Sequence, residues 1–246
     1  MYQKRRNDIL DIIKHKSELQ LNELMESFPN VSEMTLRRDL YSLEKEGFIT
    51  RIRGGAKLNE DDYSLRSTAN VELKNDIAKC ALRFLEENRS IYIDAGSTLM
   101  QLAKKVPNTH LYIITSAPNI AMEIIQRKNT EVILLGGLLG KKSVSVSGQP
   151  ALLLLETLNI DTAFMGTTGF SLENGFSIPY QTECELKKKV IATAKKVNVL
   201  MDHTKINKNL PFTFAMLEDI NCIITDRQMP ENILEEAVRK NVEIVY

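Results

Sequence analysis

Two groups of side chains in this chain of 246 residues have types and spacings that could do chemistry. The first runs from Ser32 to Arg53, in SEMTLRRDLYSLEKEGFITRIR. On a helix begun at Ser32, Leu36, Leu40 and Leu43 form one apolar stripe. Met34, Arg38, Tyr41 and Lys45 point the other way, with Thr35 and Arg37 on the flanks. The forked donors of Arg37 and Arg38 suit guanine edges or phosphate. Thr35 is short enough to let a helix approach a duplex closely, and Arg51 and Arg53 beyond the helix suit backbone phosphate. The second group opens at Asp94-Ala-Gly-Ser-Thr. Gly96 permits a tight turn, Ser97 and Thr98 offer hydroxyls, and the N–H groups of a following helix start favour an anion such as phosphate.

Each group has a plainer reading. Arg37, Arg38 and Asp39 could be a solvated surface of a small protein-interaction domain, with helical ion pairs worth a few tenths of a kcal/mol. Gly-Ser-Thr after a strand is also an ordinary α/β turn. For the first group, the combination of three helices, an arginine pair and a basic segment ending in two glycines favours a DNA reader. For the second, spacing leaves the turn and the phosphate cradle equally open.

The elements that must position these residues are readable as patterns. Ile9, Ile12 and Ile13 mark a helix over 5–16, and Leu21, Leu24, Met25 and Phe28 a second. Pro29 ends it, Ser32 caps the third helix, and Gly47 closes that one. FITRIRGG then alternates as a small hairpin, or wing. Residues 59–74 are polar with no strong period and are expected to be a linker between domains 1–58 and 75–246. An amphipathic helix is expected over Asn75–Glu87. Short apolar runs at Ser90–Asp94, Leu111–Thr115, Thr130–Leu135, Thr162–Gly166, Asn198–Asp202, Asn221–Thr225 and Val242–Val245 read as buried strands. Helical patterns separate most of them, at Thr98–Val106, Pro118–Gln126, Pro150–Leu158, Glu183–Lys195 and Pro230–Lys240. The predicted fold class is α/β: an N-terminal winged helix-turn-helix and a larger Rossmann-like domain with a mainly parallel sheet. In such sheets ligands bind beyond the strand carboxyl ends. That adds Thr115 and Ser116, Gly136 and Gly137, Gly166 to Gly169, and Asp202 with Lys205 to the candidates, although a lysine past a strand end is usually a solvated loop residue. Glu183 and Lys187, four apart, could equally be a helix-surface ion pair.

The chain's 32 Lys+Arg balance 32 Asp+Glu. The first 58 residues hold 11 basic against 9 acidic residues, an excess too small to signify, because DNA binding needs a patch rather than a total. Cys80, Cys184 and Cys222 form no CxxC pair, so no metal or cofactor is expected, and their odd number fits a reducing cytoplasm. Neither a membrane span nor a secretory signal is expected.

Val31, Ser32, Thr35, Arg37, Arg38, Asp39, Leu40, Leu43, Gly47, Arg51, Gly54, Gly55 and Ala56 fit the pattern VSxxTxRRDLxxLexxGxlxRxhGGA. In this the segment resembles the winged helix-turn-helix of the DeoR family of bacterial sugar-metabolism repressors, with Arg53 where a histidine is common. The rest resembles that family's sensor domain, itself similar to ribose-5-phosphate isomerase, through DAGST (94–98), TSAPNIA (115–121), GG (136–137), Gly148, DTAFMGTTG (161–169), ECELK (183–187) and DHTK (202–205). Many members have asparagine at the position of Ser116. The resemblance implies operator double-stranded DNA and a phosphorylated sugar as partners, and a homo-oligomer. Ser32, Met34, Thr35, Arg37, Arg38, Tyr41, Arg51 and Arg53 would face DNA. Ser97, Thr98 and Lys205 would hold phosphate, with Asp94 and Glu183 near the sugar hydroxyls and Gly96, Thr115, Gly137, Gly166 and Lys187 around them.

An enzyme is the serious rival. Aldose–ketose isomerisation needs a carboxylate base and further acids to move protons. The isomerase carries them in a DGADE-like segment that corresponds here to Met165, Gly166, Thr167, Thr168 and Gly169, and its catalytic glutamate falls near Lys187. His203, between Asp202 and Lys205, has no recognisable serine or cysteine nucleophile beside it. Keeping the binding features while lacking the acids implies a sensor with no catalytic residues. A third reading, two degenerate modules serving only protein contacts, would show as failure to shift any candidate operator DNA.

Overall fold

The computed structural model describes residues 2–16, 18–58 and 63–246. The chain divides into two compact units, Met1–Val71 and Glu72–Tyr246.

The first unit contains α1 (Tyr2–Lys16), β1 (Glu18–Gln20), α2 (Leu21–Ser27), α3 (Glu33–Lys45), β2 (Ile49–Ile52), β3 (Gly55–Leu58) and α4 (Tyr63–Thr68). Ile9 and Ile13, one helical turn apart, are fully buried with Leu24, Leu36, Leu40 and Leu43. The apolar stripe of α3 thus becomes its inner face. The expected wing is the antiparallel pair β2–β3, and β1 joins it in the order β1-β3-β2. A Cβ on Gly55 would lie 2.2 Å from the Leu19 carbonyl oxygen, so the second wing glycine is where β3 presses against β1. Part of the expected linker is packed structure. Leu65 and Ala69 are buried in this core, and Tyr63–Thr68 is helical. Two apolar residues four apart are too sparse a signal for a period. Residues 59–62 of that linker lie outside the described residues.

In the second unit α5 spans Val71–Ala81, its first residue closing the first unit, and a single 3-10 turn follows at Leu82–Phe84; the expected helix over 75–87 starts and stops earlier. There follow β4 (Ser90–Ile93), α6 (Ser97–Ala103), β5 (Leu111–Thr115), α7 (Pro118–Ile124), β6 (Thr130–Leu134), β7 (Leu138–Leu139), β8 (Val146–Ser147), α8 (Gln149–Leu155), β9 (Ile160–Gly166), β10 (Gly169–Ser171), β11 (Gly175–Ile178), α9 (Gln181–Thr193), β12 (Ala194–Leu200), β13 (Phe212–Ala215), β14 (Cys222–Ile224), α10 (Glu231–Arg239) and β15 (Glu243–Val245).

The seven apolar runs become one seven-stranded sheet, in the order β15-β14-β12-β9-β4-β5-β6. All its pairings are parallel. Cores lie on both faces: Tyr92 and Ile114 in one, Ile91, Ile93 and Ile113 in the other. Strands covered twice read as continuous apolar runs, which is why they were legible. The chain leaves β4 in one direction through β5 and β6, and returns to its other side with β9. The switch point between β4 and β9 opens a crevice at their carboxyl ends.

Two smaller pieces carry weaker signals: the hairpin β7–β8, and the antiparallel sheet β10-β11-β13, where Phe170 stacks on Phe176 at 4.5 Å. Burial pushes the Cys222 thiol up to about 12, consistent with a small core residue. No helix among the described residues is long and apolar enough to cross a membrane.

At the amino edge of the sheet, Asp161 ties three strands together. It accepts from Lys195 Nζ at 2.7 Å and from the Ser90 N–H and hydroxyl at 3.1 Å. The Lys195 hydrogen bond and then the Ser90 N–H lower its carboxyl to about 2. A carboxyl depressed in the fold stabilises above its ordinary value of 3.8, and that stability is lost as pH falls toward 2. Asp161→Asn is therefore expected to be less stable than the parent near neutrality. The gap should shrink in urea titrations between about pH 4 and pH 2. A gap independent of pH would contradict this.

Candidate functional site

α3 starts where Ser32 caps it. The Ser32 hydroxyl accepts the Thr35 N–H at 3.4 Å and lies 2.9 Å from the Thr35 hydroxyl. Both predicted contact residues therefore also define the helix entry. Met34, Arg38 and Tyr41 stand on the outer face, with Met34 73% and Tyr41 54% exposed. Large side chains left in solvent at i, i+4 and i+7 form one stripe. Arg38 and Arg53 are exposed and make no ion pair with any described residue. Arg37 pairs with Glu33 at 2.7 Å in an exposed i,i+4 bridge, the kind worth little to stability and readily exchanged for another anion.

Two assignments change. Arg51 does not project freely from the wing. Its Nε donates to Glu44 Oε2 at 2.6 Å, its N–H to Glu44 Oε1 at 2.9 Å, and its guanidinium lies 5.2 Å from the Tyr41 ring centre. Those two donations hold the Glu44 carboxyl below the usual range. Arg51 thus braces the wing against α3. Asp39, which only the plainer reading put at the surface, is buried and bound by Arg5 Nε at 2.5 Å and Arg6 Nε at 3.4 Å. The inner face of α3 is therefore pinned to α1 by charge as well as by leucines.

In the second unit the crevice between β4 and β9 gathers Asp94, Gly96, Ser97, Thr98, Gly166 and Lys187. Gly96, at φ 142°, turns the chain from β4 into α6. The first intrahelical bond is Met100 N–H to Gly96 C=O, 2.9 Å, so the N–H groups of 97–99 precede the ladder. Asp94 is 2% exposed. Its Oδ2 accepts the Gly166 N–H at 3.0 Å and a bond from Lys187 Nζ, which also donates to the Gly166 carbonyl at 2.9 Å. Lys187 is thus not a surface residue. Its salt bridge crosses the crevice to a residue far away in sequence.

Tyr92, Ser116 and Ser145 extend this polar cluster, and sequence reasoning did not place Tyr92 or Ser145 in it. The Tyr92 hydroxyl donates to Ser116 Oγ at 3.1 Å, and Ser145 Oγ donates to the same oxygen at 3.1 Å. Burial, then the Asp94 carboxylate, raises the Tyr92 phenol well above its ordinary value, so it remains a neutral donor. Tyr92 was hidden because an aromatic residue within an apolar run reads as core. Ser116, a candidate by its place at a strand end, is the oxygen on which the other two hydroxyls converge.

Other predicted residues stand elsewhere. Thr115 is fully buried, and its hydroxyl accepts the Ala117 N–H at 3.1 Å, which removes it from any ligand surface. Gly137 serves packing: a Cβ there would lie 2.3 Å from the Ser147 carbonyl oxygen. Glu183 stands one turn before Lys187 on α9, in a cleft of about 260 Å³ beside the β7–β8 hairpin. Lys205 is partly buried after β12, the sheet neighbour of β9. Nearby, His203 Nδ1 pairs with Asp226 at 2.7 Å. Burial opposes ionisation of Asp226, but the His203 N–H and ring outweigh it and lower the carboxyl. No group of three or more potential metal ligands occurs among the described residues.

Known proteins resemble both units. The DeoR-like helix-turn-helix domain model matches residues 5–62, and the DeoR C terminal sensor domain model matches residues 69–227. The HTH-type transcriptional regulator GlpR of Haloferax volcanii is 34% identical over 220 residues, 87% of this chain and 86% of that protein. The HTH-type transcriptional repressor GlcR of Bacillus subtilis is 31% identical over 251 residues, 100% of this chain and 96% of that one. Among solved structures, ribose 5-phosphate isomerase A of Methanocaldococcus jannaschii overlaps 56% of this chain and 55% of its own at 18% identity, with a TM-score of 0.41.

Proposed function

This chain belongs to the DeoR family of helix-turn-helix transcriptional regulators, and from that premise we propose that it represses a carbohydrate-metabolism operon under the control of a phosphorylated sugar. The observation that carries the DNA half is the solvent-facing stripe Met34–Arg38–Tyr41 on a helix whose other face is core. Arg38 reads base edges, while Arg37 and Arg53 meet phosphate. Two copies of the chain present two helices, and linkage raises weak half-site binding through effective concentration.

The sensor half is supported by the crevice. Ser97 and Thr98 bring hydroxyls and N–H groups to a phosphate, with Lys205 as countercharge on the same edge of the sheet. The end of β9 and the residues just after it carry no side chain able to move a proton near neutrality. Met165 is buried, and the Thr167 hydroxyl donates to the Gly169 carbonyl at 2.7 Å. The one carboxylate deep in the crevice, Asp94, is committed to Lys187 and the Gly166 N–H. Such a site binds without turnover. For control, the effector must bind the DNA-released state more tightly than the DNA-bound one.

Fluorescence anisotropy with DNA from the chain's own promoter region tests both halves. Arg38→Ala should weaken binding by about 1–3 kcal/mol, roughly ten- to a hundredfold, with the thermal midpoint unchanged. A phosphorylated sugar should release the parent from DNA, and Ser97→Ala should blunt that release without altering DNA affinity. Unchanged affinity in Arg38→Ala, release of Ser97→Ala at parental concentrations, or isomerase turnover of pentose or hexose phosphates would each contradict the assignment.

A further inference from the structure

The β7–β8 hairpin and the first turn of α9 enclose a cleft lined by Lys141, Lys142, Ser143, Tyr180, Thr182 and Glu183, among others. We propose that this cleft is a second anion subsite, in which Lys141 and Lys142 take a negatively charged group at the end of the effector remote from its phosphate. The effector class is then a sugar bearing two anionic groups. This rests on the assignment of the first phosphate to residues 96–98.

Three observations carry it. First, Lys141 and Lys142 are exposed at the cleft and neither is ion-paired with a described residue. Adjacent unpaired ammonium groups make a positive mouth whose charge the single lining carboxylate, Glu183, does not cancel. Second, the Ser143 hydroxyl is buried, lines the cleft and has no hydrogen-bond partner. A polar group taken out of water without a partner costs about 1–3 kcal/mol, which a ligand hydroxyl or anion oxygen there would recover. Third, the hairpin is anchored along β8, next to the residues that carry these groups. The Val146 N–H donates to the Ser116 carbonyl at 2.8 Å, and the Ser147 hydroxyl donates to Thr182 at 3.2 Å. Two residues before the first of these anchors, Val144 is held at φ 55°, a costly conformation for a β-branched residue.

The cleft adjoins the crevice. Tyr92 and Ser145 both donate to Ser116 Oγ, and the Gly140 N–H donates to the Ser145 carbonyl at 2.8 Å, so hydrogen bonds link the crevice to the hairpin that lines the cleft. In the proposed pose a single ligand sets its phosphate on the 96–98 turn, gives hydroxyls to Glu183 and reaches the lysines with its far end.

Calorimetric titration of the full chain tests this. The probes are paired hexose 6-phosphates and hexose 1,6-bisphosphates on glucose and fructose skeletons, with 6-phosphogluconate separating a carboxylate from a second phosphate and inorganic phosphate as control. The doubly anionic member should bind on the order of tenfold more tightly. The advantage should narrow at high salt and vanish in Lys141→Ala/Lys142→Ala, which then binds both members alike. Equal affinities in the parent overturn the inference and leave the first phosphate assignment standing. A monophosphate that loses as much affinity as the bisphosphate in the double variant also overturns it, because the lysines then hold the only phosphate. If none of the probes binds, the phosphate assignment falls and the inference with it.

Discussion

Lys187→Met is expected to destabilise the C-terminal unit by about 3–5 kcal/mol, the largest effect of any single substitution considered for this chain. Asp94 and Lys187 are 2% and 6% exposed, so neither charge is repaid by water. Methionine matches the length of the lysine stem but withdraws the ammonium. The Asp94 carboxylate then stays buried without its countercharge, and the Gly166 carbonyl loses the lysine donor. The ammonium also lies 5.0 Å from the centre of the Phe214 ring, so a cation–π contact disappears as well. Adding Asp94→Asn to Lys187→Met removes the stranded charge and should recover most of the loss, because a buried ion pair often contributes little net stability while half of one is costly. Urea unfolding of the two variants measures this. A deficit under about 1 kcal/mol for the single variant would show that the pair is better solvated than its burial implies.

Asp39→Ala should cost the N-terminal unit about 2–4 kcal/mol, somewhat less because Arg5 and Arg6 remain 16% and 24% exposed and can recover water. The consequence reaches the groove-reading face. Asp39 is the electrostatic pin between α3 and α1, so its loss loosens the helix that carries Met34, Arg38 and Tyr41. Operator affinity should fall together with amide protection in α1 and α3, whereas Arg38→Ala should lower affinity with protection unchanged. Hydrogen exchange of the full chain separates the two cases. Parental protection in Asp39→Ala would mean that the leucine stripe alone fixes the helix.

These two residues also mark where the pattern of the chain ceases to be informative. All seven strands of the large sheet were legible, as were α3 and its exposed stripe, because burial on two faces or on one writes itself into local spacing. The plainer reading had Asp39 solvated because a carboxylate beside two arginines usually is, and its partners lie on another helix. Lys187 was offered Glu183 by helical spacing, yet it found Asp94 across the crevice. Strand β13 pairs with β11 at a register that joins Thr213 to Ser177, which no short window can reveal.

Periodicity, caps and the glycine-rich turns were enough to specify the order of the seven large-sheet strands and the main helices, the α/β class, the face of α3 turned to solvent and the segments at the strand carboxyl ends, since each depends on neighbours a few positions away. Charge partners needed the folded chain: Arg51 on Glu44, Asp39 on α1, Lys187 on Asp94 and the hydroxyl chain from Tyr92 to Ser145. An ionic or hydrogen-bonding group accepts any complementary group that burial brings within about 3 Å. Which one arrives is set by how helices and strands pack, and that packing joins residues whose separation along the chain leaves no trace in local pattern.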